Sequence, residues 1–233
     1  MKVKYQKWID KICSEMLDLS HSARVWDEIM TIQNKSKHFK TCGRPFQHWM
    51  MQNYSYRMII QLSRLVEPEY INGDGLSFHK FLTEIRDKNY ISFKRYTKEE
   101  TLPTEEDNLK ILRENISSDE AISLPYTIED AIRSFESITS QKYTDTCFCC
   151  LINKDLEKLN MIRDKLKRFR NKAIAHLTDA EIKNIPTFKD LDDNLKILRK
   201  IANKYSVLLN HSHQVFEYVD LNLNRIFKKA WID

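Results

Sequence analysis

An arginine, an asparagine and a histidine punctuate the stretch Arg170-Asn171-Lys172-Ala173-Ile174-Ala175-His176. These are the residue types with which an RNA phosphodiester can be cleaved when no metal is present. Histidine moves a proton near neutral pH. Arginine holds and neutralises a crowded phosphate through its planar fork of donors. On a helical wheel of about 100° per residue with Phe169 at the origin, Ala173 falls at about 40°, His176 at about −20° and Arg170 at about 100°. The apolar stripe Leu159, Ile162, Leu166, Phe169 and Ala173 centres near about 40° on that wheel. Arg170 and His176 therefore flank the inward face from opposite sides. Asn171, at about 200°, points elsewhere on a straight helix, so a role for it requires a bend or a partner chain.

The helix that must position these groups is basic. From Lys158 to Lys172 it carries Lys158, Arg163, Lys165, Lys167, Arg168, Arg170 and Lys172 against a single acid, Asp164, a local charge of +6 where the whole chain carries +5. Such a concentration is the footprint of a polyanion partner, and it is also what a solvated helix face looks like. A second polar line, Asn53, Arg57, Gln61 and Arg64, shares one face of an earlier helix. It reads either as that helix's solvent side or as a second basic wall of an RNA groove.

Only 3 Gly and 5 Pro in 233 residues argue for long helices with few tight turns. Apolar residues at 42% and charged residues at 30% exclude a disordered chain. No apolar run of about 18 residues is present, and the Lys-rich start leads into an amphipathic segment. Neither a membrane span nor a signal peptide is read, and a cytoplasmic protein is expected. Cys13, Cys42, Cys147, Cys149 and Cys150 are odd in number and scattered, so they form no disulfide framework. The Cys147, Cys149 and Cys150 cluster lacks a second ligand group, which favours buried thiols over a zinc site. No metal and no cofactor is expected.

The first helix is visible as a seam of Tyr5, Ile9, Ile12, Met16, Leu19, Ala23, Trp26 and Met30, running from about Tyr5 to Lys35. A second helix spans Pro45 to Glu67, apolar on most sides and thus central, and Pro68 ends it. A turn at Asn72-Gly73-Asp74-Gly75 precedes a short helix from Ser77 to about Lys88. Residues Ile91 to Pro103 lack helical periodicity. Thr104 caps a helix to about Asn115, and Thr127 with Asp130 opens another to about Ser140. The basic helix begins near Asn153. Thr187 with Asp190 resembles a capping box. It opens a second seam of Phe188, Leu191, Leu195, Leu198, Ala202, Tyr205 and Leu209, which continues through Phe216, Val219, Leu223 and Ile226. This is one very long helix, or two nearly collinear ones with a break near His211-Ser212-His213. The fold class is all-α, a helical bundle.

The Arg, five intervening residues beginning with Asn171, and His preceded by Ala175 resemble the mark of the HEPN family. The wider pattern is similar to its AbiU-type abortive-infection branch: a long N-terminal helix, an apolar second helix ending in Ser63-Arg64-Leu65, and Pro186-Thr187-Phe188 opening a long helix after the motif. The resemblance is firmest over Lys154 to Leu209. It implies a single HEPN-like helical domain over residues 1–233, with the motif in about 151–210 and residues 89–150 open as a family-specific insertion. It also implies a homodimer in which the motifs of two chains meet. In many members the activity is metal-independent endoribonuclease, acting in phage defence or as a toxin; others are non-catalytic RNA-binding or partner-binding modules. Members in toxin–antitoxin pairs often sit beside a nucleotidyltransferase-type antitoxin, which in one group modifies a Tyr two residues past the His. That position here is Thr178, a departure that speaks against this regulation. On this reading Arg170, Asn171 and His176 are catalytic, and Lys165, Lys167, Arg168, Lys172, Arg57 and Arg64 bind RNA. The remaining histidines, His21, His38, His48, His79, His211 and His213, have no Arg at motif spacing and read as surface or packing residues.

Overall fold

A computed structural model describes residues 2–35, 44–68, 75–92, 96, 128–140, 142, 148–171 and 186–216. Among them are six helices and no strand: α1 (Lys2–Lys35), α2 (Arg44–Val66), α3 (Phe78–Asp87), α4 (Ile128–Thr139), α5 (Phe148–Phe169) and α6 (Phe188–Asn210). The all-α expectation is met. The helix read at 104–115, the turn read at 72–74 and the continuation of the last seam beyond 216 lie outside the described residues. No helix among those described is long and apolar enough to cross a membrane.

The two seams find each other. Tyr5, Ile9, Ile12, Met16, Leu19, Ala23 and Trp26 are buried, as are Leu191, Leu195, Leu198, Ala202 and Tyr205. The helices that carry them, α1 and α6, run antiparallel along most of their length. Four contacts fix the register from end to end. Gln6 donates to the Leu209 carbonyl (3.2 Å), Asn210 to Asp10 (2.7 Å) and Arg199 Nε to Ser20 Oγ (2.7 Å), and the Trp26 ring stacks on Phe188 at 5.2 Å. Each fully buried Leu or Ile contributes about 1.5–3 kcal/mol relative to exposure. The seams therefore outweigh any single polar contact in holding the pair together.

α5 lies against α2, α3 and α6. Its stripe Leu151, Ile152, Leu156, Leu159, Ile162, Leu166 and Phe169 is buried. The helix starts at Phe148, a turn and more before the expected Asn153, because Phe148 packs edge-on to Phe135 of α4 at 5.2 Å and extends the stripe. The cysteines at that start are not the expected buried thiols, for Cys150 is exposed and Cys149 half-buried, whereas Cys13 is buried. Cys42 and Cys147 lie outside the described residues. Burial, followed by the Asp10 charge, pushes the Cys13 thiol up to about 12. Among the described residues no group of three or more His, Cys, Asp or Glu is placed to hold a metal ion.

α2 is less central than its composition implies. Its C-terminal half buries Met58, Ile59, Leu62, Leu65 and Val66, while Phe46, Trp49, Tyr56 and Ile60 stay exposed, Trp49 at 59%. Conversely, the segment after α3 with no helical periodicity joins the core through Tyr90, Ile91 and Tyr96. Tyr96 exchanges a 2.9 Å hydrogen bond with Ser134 and stacks on His211 at 5.2 Å.

The caps follow the sequence closely. Ser77 accepts from Lys80 N–H at the start of α3. Thr187 and Asp190 form the reciprocal box that opens α6. The break near His211 occurs, with His211 in the left-handed region (φ 53°), but the chain beyond it continues α6 neither as one helix nor collinearly. The chain then folds back on α6, where Gln214 N–H donates to Asn203 (2.9 Å) and the Gln214 amide to Ser206 (3.1 Å). Those bonds replace the ones a longer helix would have made.

Thr187→Ala is expected to cost about 1 kcal/mol, read as a fall of about 2–4 °C in melting temperature. Asp190→Ala should act similarly, and the double variant should cost less than the sum because both residues serve one cap. Bonds from the Thr187 hydroxyl and N–H hold the Asp190 carboxyl below its ordinary value. Its contribution is thus present above about pH 4 and is lost as the pH falls toward the lowered native value.

Candidate nucleic-acid interface

The helix α5 keeps α-helical winding to Phe169, after which Arg170 and Asn171 turn in the wider π geometry. Such π turns are frequent at functional positions. Asn171 Oδ1 accepts from Arg170 Nε at 3.1 Å, the contact between adjacent side chains that Arg86 and Asp87 and Arg163 and Asp164 also make. The same guanidinium donates through Nη1 to Glu67 Oε2 at 3.2 Å, in a pair whose side chains are 28% and 22% exposed. Two polar groups thus orient Arg170 at the rim of the buried stripe, with Phe169 beside it in the core. Lys172 and His176 fall in 172–185, outside the described residues, as does the side chain of Arg168.

Glu67 is the site residue that motif reasoning passed over. It lies 103 positions from Arg170 and belongs to no local pattern. It is anchored at the end of α2, where its N–H donates to the Ser63 carbonyl at 3.0 Å and Pro68 prevents further winding. One signal was available, since no acid occurs between Glu28 and Glu67. A carboxylate closing so long an acid-free run is placed to meet a cation.

His79 also stands closer to this region than its lack of a motif implied. It is half-buried on α3, with Thr83 Oγ1 at 3.4 Å from its Nδ1. Burial and then the Arg163 cation hold its pKa below the ordinary histidine value; Arg86 acts in the same direction, and the Asn160 hydrogen bond and the Glu67 charge oppose them. The environment of the ring thus links α3, α5 and the carboxylate that holds Arg170.

The formal charge of α5 is partly consumed inside the fold. Lys158 pairs with Asp155 (3.1 Å), Arg163 with Asp164 (2.9 Å) and Arg170 with Glu67. Lys165 and Lys167 are exposed and have no ion pair among the described residues. They form the solvent-facing basic surface next to Arg170. On α2, Arg57 and Arg64 are exposed as the polar line foresaw, with Arg57 Nε 3.4 Å from Gln61 Oε1. The steps Phe46, Trp49, Asn53, Arg57, Ile60 and Arg64 put exposed aromatic and aliphatic groups on the same face as these arginines. Phe46 and Trp49 stack at 5.9 Å. Of the expected residues, the structure joins Arg170 and Asn171 directly. Lys165 and Lys167 stand one to two turns before them, and Arg64 lies three residues before Glu67.

A family model described as HEPN_AbiU2, AbiU2, matches residues 2–229, nearly the whole chain. No curated protein and no solved structure matches it. With a match of that extent on an all-helical bundle, the chain belongs to the AbiU2 family of HEPN proteins.

Proposed function

We propose that this AbiU2-type HEPN protein is a metal-independent endoribonuclease of abortive infection, or the toxin of a toxin–antitoxin pair, with Arg170 and His176 as its catalytic groups. The observation that carries the reading is the held guanidinium. Arg170 is set at the end of the basic helix by Glu67 and Asn171, with five residues between it and His176.

In the reaction the ribose 2′-oxygen attacks the adjacent phosphorus while a base removes its proton. The bond from phosphorus to the 5′-oxygen breaks, and an acid protonates the departing oxygen. A 2′,3′-cyclic phosphate and a 5′-hydroxyl result, and DNA cannot react because it lacks the nucleophile. His176 serves as one proton-transfer group. Arg170 stabilises the charge that builds on the phosphorane-like transition state, exchanging its Glu67 carboxylate for phosphate oxygens. Asn171 keeps the guanidinium in its plane. Lys165, Lys167, Arg168 and Lys172, with Arg57 and Arg64 as a second wall, hold flanking phosphates and carry no sequence information.

One Arg-His pair offers one proton-transfer group where the reaction needs two. A twofold homodimer supplies the second histidine, and the exposed apolar residues of α2, which ends beside Arg170, support such an association. A nucleotidyltransferase-type antitoxin is a further partner consistent with the family, acting otherwise than on a Tyr at position 178. A second reading, a non-catalytic RNA-binding or partner-binding module, is favoured by the Glu67 ion pair, because it leaves Arg170 already occupied.

Incubating the protein with RNA in EDTA separates these readings. Cleavage should persist and leave cyclic-phosphate and 5′-hydroxyl ends, and a single 2′-deoxy substitution should block the bond beside it. Salt-sensitive binding without cleavage would establish the second reading. Arg170→Lys should lower turnover about 10²-fold, since charge remains but the fork is lost. Near-normal turnover would remove Arg170 from the site. In binding titrations, replacing Lys165, Lys167 and Arg168 together should flatten the salt dependence by about 2 in log–log slope for single-stranded RNA. An unchanged slope would make that face merely solvated.

A further inference from the structure

Trp49 stands in water near the N-terminal end of α2, 59% exposed, where most of its indole gains nothing from burial. Phe46 stacks on it, with ring centroids 5.9 Å apart and planes 20° from each other. One turn on, Asn53 donates its side-chain N–H to the Trp49 carbonyl at 2.8 Å. At about 100° per residue, Trp49, Asn53, Arg57, Ile60 and Arg64 fall within about 80° of one another, so ring and guanidinium groups share one face. That face leads from Trp49 toward Glu67, the carboxylate that holds Arg170, over about 27 Å of helix axis.

The same segment carries no acid. Between Glu28 and Glu67 the sequence holds Lys35, Lys37, Lys40, Arg44, Arg57 and Arg64 against no carboxylate, which is +6 where the whole chain is +5. Arg57 and Arg64 are exposed on the Trp49 face. A second copy packed on this end of α2 would set one acid-free run against another, like charge against like. A polyanion meets no such repulsion. A nucleic-acid duplex satisfies the cations but keeps its base faces covered by their own neighbours, so it makes no use of the indole. An unpaired strand supplies both, phosphates for the arginines and a bare base face for the ring.

We propose that Trp49, backed by Phe46, is a base-stacking platform that selects unpaired RNA and lays it along α2, with Arg57 and Arg64 on the phosphates that lead to Arg170. The inference rests on the RNA reading of the Arg170 site. It adds a ring subsite remote from the cleaved bond, which only strands that extend along α2 can reach.

Fluorescence anisotropy of the full-length protein with an unpaired RNA of about 12 nucleotides tests this, its riboses 2′-O-methylated so that no cleavage intervenes. A trinucleotide and a blunt RNA duplex are the parallel arms. Trp49→Ala should weaken binding of the long strand about 10-fold and leave the trinucleotide and the duplex unchanged. Its log–log salt slope should match the parent's, because stacking releases no counterions, whereas Arg57→Ala should flatten the slope by about 0.7. Trp49→Phe should keep most of the affinity but lose indole quenching by the strand. The melting temperature should not move in either Trp49 variant, since the side chain is exposed. Unchanged affinity for the long strand in Trp49→Ala, or an equal loss on the duplex, would overturn the proposal. The face would then belong to a protein, a second copy where light scattering shows that variant turning from dimer to monomer. Weakened binding in Lys165→Ala/Lys167→Ala/Arg168→Ala with none in Trp49→Ala removes the platform alone. A parent protein that binds no RNA removes the platform and the RNA reading together.

Discussion

Burial of one stripe of α5 is the constraint from which the rest of the molecule follows. Leu151 to Phe169 must leave water together, and the surfaces that receive them come from α2, α3 and α6. Seven large apolar residues at about 1.5–3 kcal/mol each exceed what any surface ion pair contributes. Once the stripe is fixed, the helix cannot rotate. Its basic residues are then divided by geometry alone between those that meet partners inside the fold and those that face solvent. Arg170 follows Phe169, the last described residue of that stripe, and its half-buried guanidinium stands at a boundary between core and water.

Polar chemistry along α5 is secondary in energy but decisive in placement. At its N-terminal half, Asp155 ties the helix to α6 through Lys204 and Tyr205. Removing that carboxylate would leave Lys204 uncompensated, at a cost of about 3–5 kcal/mol. At its C-terminal end, Glu67 and Asn171 do the equivalent for Arg170. The two ends differ in exposure. Asp155 is fully buried and acts as a fixed tie, whereas the Arg170–Glu67 pair is partly open to solvent. The AbiU2 family assignment fits the all-helical bundle on which these contacts are built.

Much of this was legible in the sequence because it is local. Seams with a three-four rhythm gave α1 and α6, and cap residues gave the starts of α3 and α6 to within a residue. The Arg170 and Phe169 angles on a helical wheel placed one at the rim and the other inside. What the sequence hid is what depends on partners distant along the chain. The start of α5 moved to Phe148 because Phe135 of another helix was there to receive it. α2 read as central because apolar composition does not distinguish Met58, which is buried, from Trp49, which is not. Glu67 was passed over for the same reason: it is tied to the site only through tertiary contact, and the acid-free run before it was its one signal. Lys204 resembled any other lysine until Asp155 appeared beneath it.

The central claim is that the Arg170 to His176 segment is a chemical site and no mere closing turn of a packed helix. Paired measurement of RNA cleavage rate and melting temperature on His176→Ala addresses it most directly. The account predicts cleavage abolished with the melting temperature within about 2 °C of the parent, as expected of a change at a group that does not hold the core. A large loss of thermal stability with cleavage retained by the molecules that remain folded would contradict it.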